Sequence, residues 1–226
     1  MPTLVIANKL YSSWSMRPWL LMRHLGIAFE EIVIPLDLPD TKARVLEHSP
    51  AGKVPILKDG DVTVWESLAI MEYVAETFGA PVWPADRQAR AMARSVAAEM
   101  HAGFSALRSA CPMNLGKRYP TRDRGEAVAR DVARFETIVR DARSRFGAGG
   151  PFLFGAFSAA DAMFAPLVTR LDTYSIPLEP ATRAYVDAIL GLPAFREWRE
   201  AALQETWVVA HDEVDEEPSE IFRSAA

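Results

Sequence analysis

The spacing of apolar positions changes character near residue 80. Before that point, short β-rich runs alternate with short helical ones. Residues 3–7 (TLVIA) predict a first strand. Residues 16–25 (MRPWLLMRHL) are apolar enough for a buried helix, which Gly26 stops. Residues 28–34 read as a second strand and 40–48 as a short polar helix. Residues 54–57 and 62–64 flank Asp59-Gly60, a dipeptide that favours a tight hairpin turn. Residues 66–78 place Leu68, Met71, Tyr73, Val74 and Phe78 close to a helical period. The order is βαβ followed by ββα. A right-handed crossover with an added antiparallel hairpin then makes one small mixed sheet.

Residues 79–86 (GAPVWPAD) hold two prolines and a tryptophan and read as a linker. The pattern after it is helical throughout. Ala89, Met92, Val96 and Met100 form one stripe; Val128, Val132, Phe135 and Val139 form another. A proline-bounded loop, 112–120, separates them, and the glycines of 147–150 break the second. Further helices are expected at about 158–171, 180–190 and 193–203, followed by an acidic tail, HDEVDEEPSE, expected to be extended or loosely docked. The expected organisation is an α/β thioredoxin-like domain over 1–80 and an all-α domain over 87–226 that includes the tail.

Composition narrows the function classes. Half of the 226 residues are hydrophobic and 24% are charged, as in a soluble globular protein. A net charge of −5 argues against nucleic acid as the main partner. No apolar run reaches the roughly 20 residues that cross a bilayer, so no membrane partner is expected. The N-terminal residues lack the basic start and long apolar run of a secretory leader, which makes the cytoplasm the expected compartment. A single cysteine, Cys111, excludes an internal disulfide framework. Four scattered histidines without a cysteine pair offer no zinc spacing, so no metal is expected.

Four local motifs carry more. Tyr11-Ser12-Ser13-Trp14-Ser15-Met16-Arg17 joins the first strand to the first helix. Ala51-Gly52-Lys53-Val54-Pro55 precedes the hairpin. Trp65-Glu66-Ser67 opens the next helix. Ser158-Ala159-Ala160-Asp161 is a capping box of the S-x-x-D form, in which each side chain satisfies the other residue's backbone N–H. In this domain order, the motifs resemble those of the cytosolic glutathione transferase superfamily, and the resemblance spans nearly the whole chain. The N-terminal motif is similar to the zeta-class pattern Ser-Ser-Cys-x-x-Arg. Trp14 stands where that class has cysteine, and Pro18-Trp19 replaces its Val-Arg.

The resemblance implies glutathione as cosubstrate, with a cis Val54-Pro55 bond presenting the Val54 backbone to the cysteinyl part of the tripeptide. It implies that Glu66 meets the γ-glutamyl ammonium and Ser67 the carboxylate. Lys53 is a candidate for the glycine carboxylate. Each also fits a plainer role: Pro55 at a strand start, Glu66 and Ser67 at a capped helix start, Lys53 in solvent. Ser12 is the first choice to hold the thiolate, with Ser13 and Ser15 as alternatives; Ser15 also fits a helix cap. Arg17 fits either a source of positive potential or a helix-surface charge. His101, Phe104, Ser105, Arg108 and Met113 are candidates for the opposite wall, and Trp14 for the cleft lining.

The physical requirement is plain. A free thiol ionises near pH 8.5, so little thiolate exists at neutral pH. A hydroxyl that donates to sulfur favours the anion, and the positive end of a helix adds to it. The expected activity is glutathione S-transferase: thiolate attack on a hydrophobic electrophile held by a mostly apolar pocket of the second domain, in a cytoplasmic homodimeric detoxification enzyme. Zeta-type cis–trans isomerisation is the alternative reaction. A non-catalytic interaction module on the same fold is the alternative class.

Overall fold

The computed structural model describes residues 1–223. Strands β1 (Thr3–Ile6), β2 (Glu30–Val33), β3 (Ile56–Asp59) and β4 (Val62–Trp65) form one sheet in the order β2-β1-β3-β4. β1 runs parallel to β2, while β3 is antiparallel to both β1 and β4. Alternation along β1 sends its side chains to two faces. Leu4 and Ile6 join the main core with Leu20, Leu21, Ile70 and Met71, beneath α1 (Ser13–His24) and α3 (Ser67–Thr77). Val5 joins Ile34, Val45 and Ile56 in a smaller cluster under α2 (Thr41–Leu46). This is the thioredoxin-like α/β layer expected from the βαβ-ββα order.

The rest is helical: α4 (Arg87–Ala102), α5 (Ser105–Ala110), α6 (Glu126–Phe146), α7 (Ala159–Thr173), α8 (Pro180–Leu190) and α9 (Pro193–Leu203). α7 is buried along nearly its whole length and packs on α1, α4 and α8. It starts at the expected capping box: the Ser158 N–H and hydroxyl each donate to Asp161 Oδ2 at 2.9 Å.

Three expectations change. α1 starts at Ser13, three residues before the apolar run, because its first turn is made of serines that a hydrophobic-period reading passes over. The helix of the first stripe does not continue to the proline-bounded loop at 112. It ends at Gly103, and Phe104 takes a left-handed conformation, φ 58°. Gly103 admits no side chain, since a Cβ there would lie 2.8 Å from the Glu99 carbonyl oxygen. The turn sends the Phe104 ring into the core, 5.8 Å edge-on from Phe164, and puts Ser105 and Arg108 on the new helix α5.

The acidic tail is docked. Its strand β6 (Glu220–Ile221) pairs with β5 (Lys117–Arg118). Glu213 accepts from the Tyr11 hydroxyl at 2.6 Å, Asn114 Nδ2 at 3.0 Å and Lys117 Nζ at 2.6 Å. Arg124 forks onto Glu216 with two bonds of 3.0 Å. The basic stretch 117–124 is therefore the tail's counter-surface. Glu213→Ala leaves three donors without their acceptor, a loss of about 1–3 kcal/mol in tail docking. Cleavage of the tail by a glutamate-specific protease is expected to quicken roughly tenfold; an unchanged rate contradicts this docking.

Candidate functional site

The loop between β1 and α1 is held from both sides of the chain. The Lys9 and Leu10 N–H groups donate to Glu205 at 2.7 and 3.1 Å, and Trp198 Nε1 donates to the Lys9 carbonyl at 2.9 Å. This fixes Ser12 at the N-cap of α1, where its side chain makes no cap bond. Its hydroxyl donates to Ser15 Oγ at 2.8 Å, and Ser15 Oγ also accepts from the Ala7 N–H at 3.0 Å. Ser15 thus ties the end of β1 to α1 and does not cap the helix. Ser12 and Ser13 are 7% and 8% exposed and line a cleft of about 480 Å³. Ser105, Arg108 and Ser109 of α5, Arg170 of α7 and His211-Asp212 of the tail form its other walls.

A second cleft of about 390 Å³ lies on the other side of Trp14, which lines both. Lys53, Val54, Pro55, Trp65, Glu66 and His101 complete it. The Val54-Pro55 peptide bond is cis. Among the described residues, neither the N–H nor the C=O of Val54 has a hydrogen-bond partner, although β3 begins two residues later. Such an open pair on an extended backbone is what an added peptide strand can use. Glu66 sits before α3 at φ 68°, with its carboxylate half-exposed and 3.8 Å from His101 Nε2.

Ser67 is placed differently from expectation. It is fully buried, does not line the cleft, and turns its hydroxyl toward Met163 Sδ at 3.9 Å. Its backbone N–H belongs to the first turn of α3, whose four leading N–H groups have no partner within the helix. Arg108 lines the serine cleft and not the Glu66 cleft.

Arg17 is fully buried, and none of its three guanidinium nitrogens has a hydrogen-bond partner among the described residues. Its carbon Cζ lies 3.9 Å from the Trp14 ring centre, and Arg108 Cζ lies 4.8 Å from the same ring. Burial, then the charges of Arg108 and Arg170, push the Arg17 pKa down, with Glu66 opposing. Burial pushes Arg170 down to about 10; its Nε and Nη1 donate to the Cys111 and Pro166 carbonyls at 2.9 Å each. Burial first, then Arg17, lower the His101 pKa, so that His101 is neutral near pH 7. The site is therefore electropositive around Trp14. The surface-charge alternative for Arg17 does not hold. Cys111 is buried with its thiol pushed up to about 11, an inert side chain.

Sequence reasoning missed Arg170, Trp65 and the tail residues His211 and Asp212. Arg170 left a trace: it is the single basic residue in the largely apolar stretch 162–171. The tail residues left none, because their place depends on the chain folding back.

Residues 11–77 match the family model described as Glutathione S-transferase, N-terminal domain, and residues 125–201 match the Glutathione S-transferase, C-terminal domain. The chain belongs to the glutathione S-transferase family. Among curated relatives of this glutathione S-transferase, Maleylacetoacetate isomerase of Rattus norvegicus is 28% identical over 81% of this chain and 85% of its own. Glutathione S-transferase theta-3 of Mus musculus is 31% identical over 69% of this chain and 70% of its own. A solved glutathione transferase homolog from Burkholderia GL BGR1, with bound glutathione, superposes with a TM-score of 0.68 at 24% identity, covering 89% of this chain and 97% of that one. No helix among the described residues is long and apolar enough to cross a membrane.

Proposed function

We propose that this glutathione S-transferase binds glutathione in the cleft of Lys53, Val54 and Glu66. Its thiol is held as the thiolate by the Ser12 hydroxyl, for attack on an electrophile in the neighbouring cleft. The observation that carries this reading is the open backbone N–H and C=O of Val54, which lines one cleft with Glu66 and with Trp14, the residue shared with the serine cleft. The cysteinyl backbone pairs there as a short added strand, which leaves its side chain to reach past Trp14 toward the serines. Glu66 receives the γ-glutamyl ammonium, and the N-terminus of α3 at Ser67 receives the carboxylate. Lys53 takes the glycine carboxylate.

Ser12 becomes a donor to sulfur by a rotation of two hydroxyls. Ser15, fixed by the Ala7 N–H, donates to Ser12, and the Ser12 proton turns toward the thiolate. Ser13 lines the same cleft and is the second candidate for the contact. No acidic side chain in the first turn of α1 competes for its positive end. The enzyme acts in the cytoplasm as a homodimer, as is usual for this family.

Isomerisation is the second reading. It is favoured by the similarity to the rat protein named Maleylacetoacetate isomerase, and opposed by Trp14 in the place of the zeta-class cysteine. A non-catalytic module fits less well, because Ser12, Val54-Pro55, Glu66 and the free N-terminus of α3 are all retained. Titration calorimetry with glutathione tests the reading. Glu66 is half-exposed, so its pairing is worth about 1 kcal/mol, and Glu66→Ala is expected to weaken binding roughly fivefold. Absence of heat with the folded wild-type protein overturns the assignment.

A further inference from the structure

The cleft on the serine side of Trp14 is not the apolar pocket expected for a hydrophobic electrophile. Its walls carry Ser105, Arg108, Ser109 and Arg170, with Leu36 as the aliphatic exception. Neither Arg108 nor Arg170 forms an ion pair with a carboxylate among the described residues, and neither does Arg17 beneath the Trp14 ring. Elsewhere the chain pairs buried or half-buried arginines: Arg124 with Glu216, Arg118 with Asp172, Arg183 with Asp187. Arg108 makes only a marginal contact at 3.5 Å, to the Gly103 carbonyl.

Three guanidinium groups converging in poor solvent repel one another and gain only if an anion joins them. The Arg17 guanidinium, fully buried and without any partner, is the clearest sign of such a gap. The one carboxylate in the lining, Asp212, favours the Arg170 charge from a distance but forms no ion pair with Arg17, Arg108 or Arg170 among the described residues. Asp212 lies 3.8 Å from His211 Nε2, whose other nitrogen, Nδ1, is 3.3 Å from Asp37.

We propose that this cleft takes an electrophile carrying a carboxylate, held by the Arg108 guanidinium with the hydroxyls of Ser105 and Ser109 beside it, while Arg170, whose Nε and Nη1 already donate to the Cys111 and Pro166 carbonyls, contributes its charge from the wall. Arg17 adds positive potential from under the Trp14 ring. The planar guanidinium fork matches a carboxylate with two parallel bonds, which an ammonium does not. The proposal rests on the glutathione reading given above. In the reaction, the glutathione sulfur donates its electron pair to the electrophilic carbon, a C–S bond forms, and the leaving group departs with the electrons of the bond it loses. The carboxylate stays unchanged and sets the orientation.

Two product-like conjugates test it without requiring turnover: S-(4-carboxybenzyl)glutathione and its benzoate methyl ester, each titrated into the wild-type protein by calorimetry. The acid is expected to bind about tenfold or more tightly than the ester, which corresponds to roughly 1.4 kcal/mol. In Arg108→Met the ratio is expected to fall to near one, and Arg108→Lys to keep part of it. Equal binding of the two conjugates, or tighter binding of the ester, overturns the carboxylate assignment while leaving glutathione binding intact. Equal weakening of both conjugates by Arg108→Met shows Arg108 serving glutathione itself and also overturns it. Failure of both conjugates to bind overturns the glutathione reading, and this proposal with it. If the variants do not fold, the wild-type pair alone decides.

Discussion

Asp161→Ala is expected to cost about 3–5 kcal/mol of folding stability. Asp161 is fully buried at the start of α7, the helix on which α1, α4 and α8 pack. It accepts four bonds: from the Leu153 N–H at 3.0 Å, the Ser158 N–H and hydroxyl at 2.9 Å each, and the Tyr185 hydroxyl at 3.2 Å. Burial pushes its pKa up to about 6 against the pull of those donors, so the carboxylate form prevails at pH 7.5. Alanine leaves the donors buried and unpaired, at about 1–3 kcal/mol each with incomplete additivity. The whole fold of a domain is worth only about 5–15 kcal/mol. Asn retains an acceptor oxygen, so Asp161→Asn is expected to lose less. Urea melts followed by tryptophan fluorescence measure both; a loss below 1 kcal/mol for Asp161→Ala contradicts the account.

The largest effect on activity is expected at Ser12. One hydrogen bond to a charged group contributes about 1.5–3 kcal/mol. Ser12→Ala is therefore expected to lower kcat/KM toward an electrophile by about 10–100-fold, with most of the loss recovered at high pH, where free thiol ionises unaided. Ser13→Ala separates the neighbouring hydroxyl from this role and is expected to lose severalfold at most. Ser15→Ala frees the Ala7 N–H and removes the hydroxyl that orients Ser12, so it is expected to fall between the two. Steady-state rates across pH 6–9 for the three variants give the order directly. A Ser13 effect larger than the Ser12 effect moves the thiolate contact to Ser13.

The α/β layer was legible because its strands are short β-rich runs split by glycine and Asp-Gly turns, and because the Val54-Pro55 and Glu66 motifs are local in sequence. The capping box at Ser158 was legible for the same reason. Features set by distant parts of the chain were not. The turn of the Ser67 hydroxyl toward Met163 depends on α7 bringing Met163 to the start of α3. The break at Gly103 uses a close approach to the Glu99 carbonyl that only glycine allows, followed by the left-handed Phe104, which hydropathy does not encode. Arg17 has the sequence signature of a surface charge; only the packing of Trp14 over it reveals a buried cation. The arginines of the serine cleft come from α5 and α7, far apart in sequence, so its polarity had no contiguous trace.

The central claim is that a serine hydroxyl at the N-terminus of α1 holds glutathione as its thiolate. Ultraviolet titration of the thiolate absorbance in the enzyme–glutathione complex tests it directly. A bound thiol about two pKa units below the free value of roughly 8.5 is expected, a stabilisation of about 2.7 kcal/mol. The Ser12→Ala complex is expected to return one to two of those units. A bound thiol that titrates like free glutathione in the wild-type protein, or one whose pKa is unchanged by Ser12→Ala, contradicts the claim.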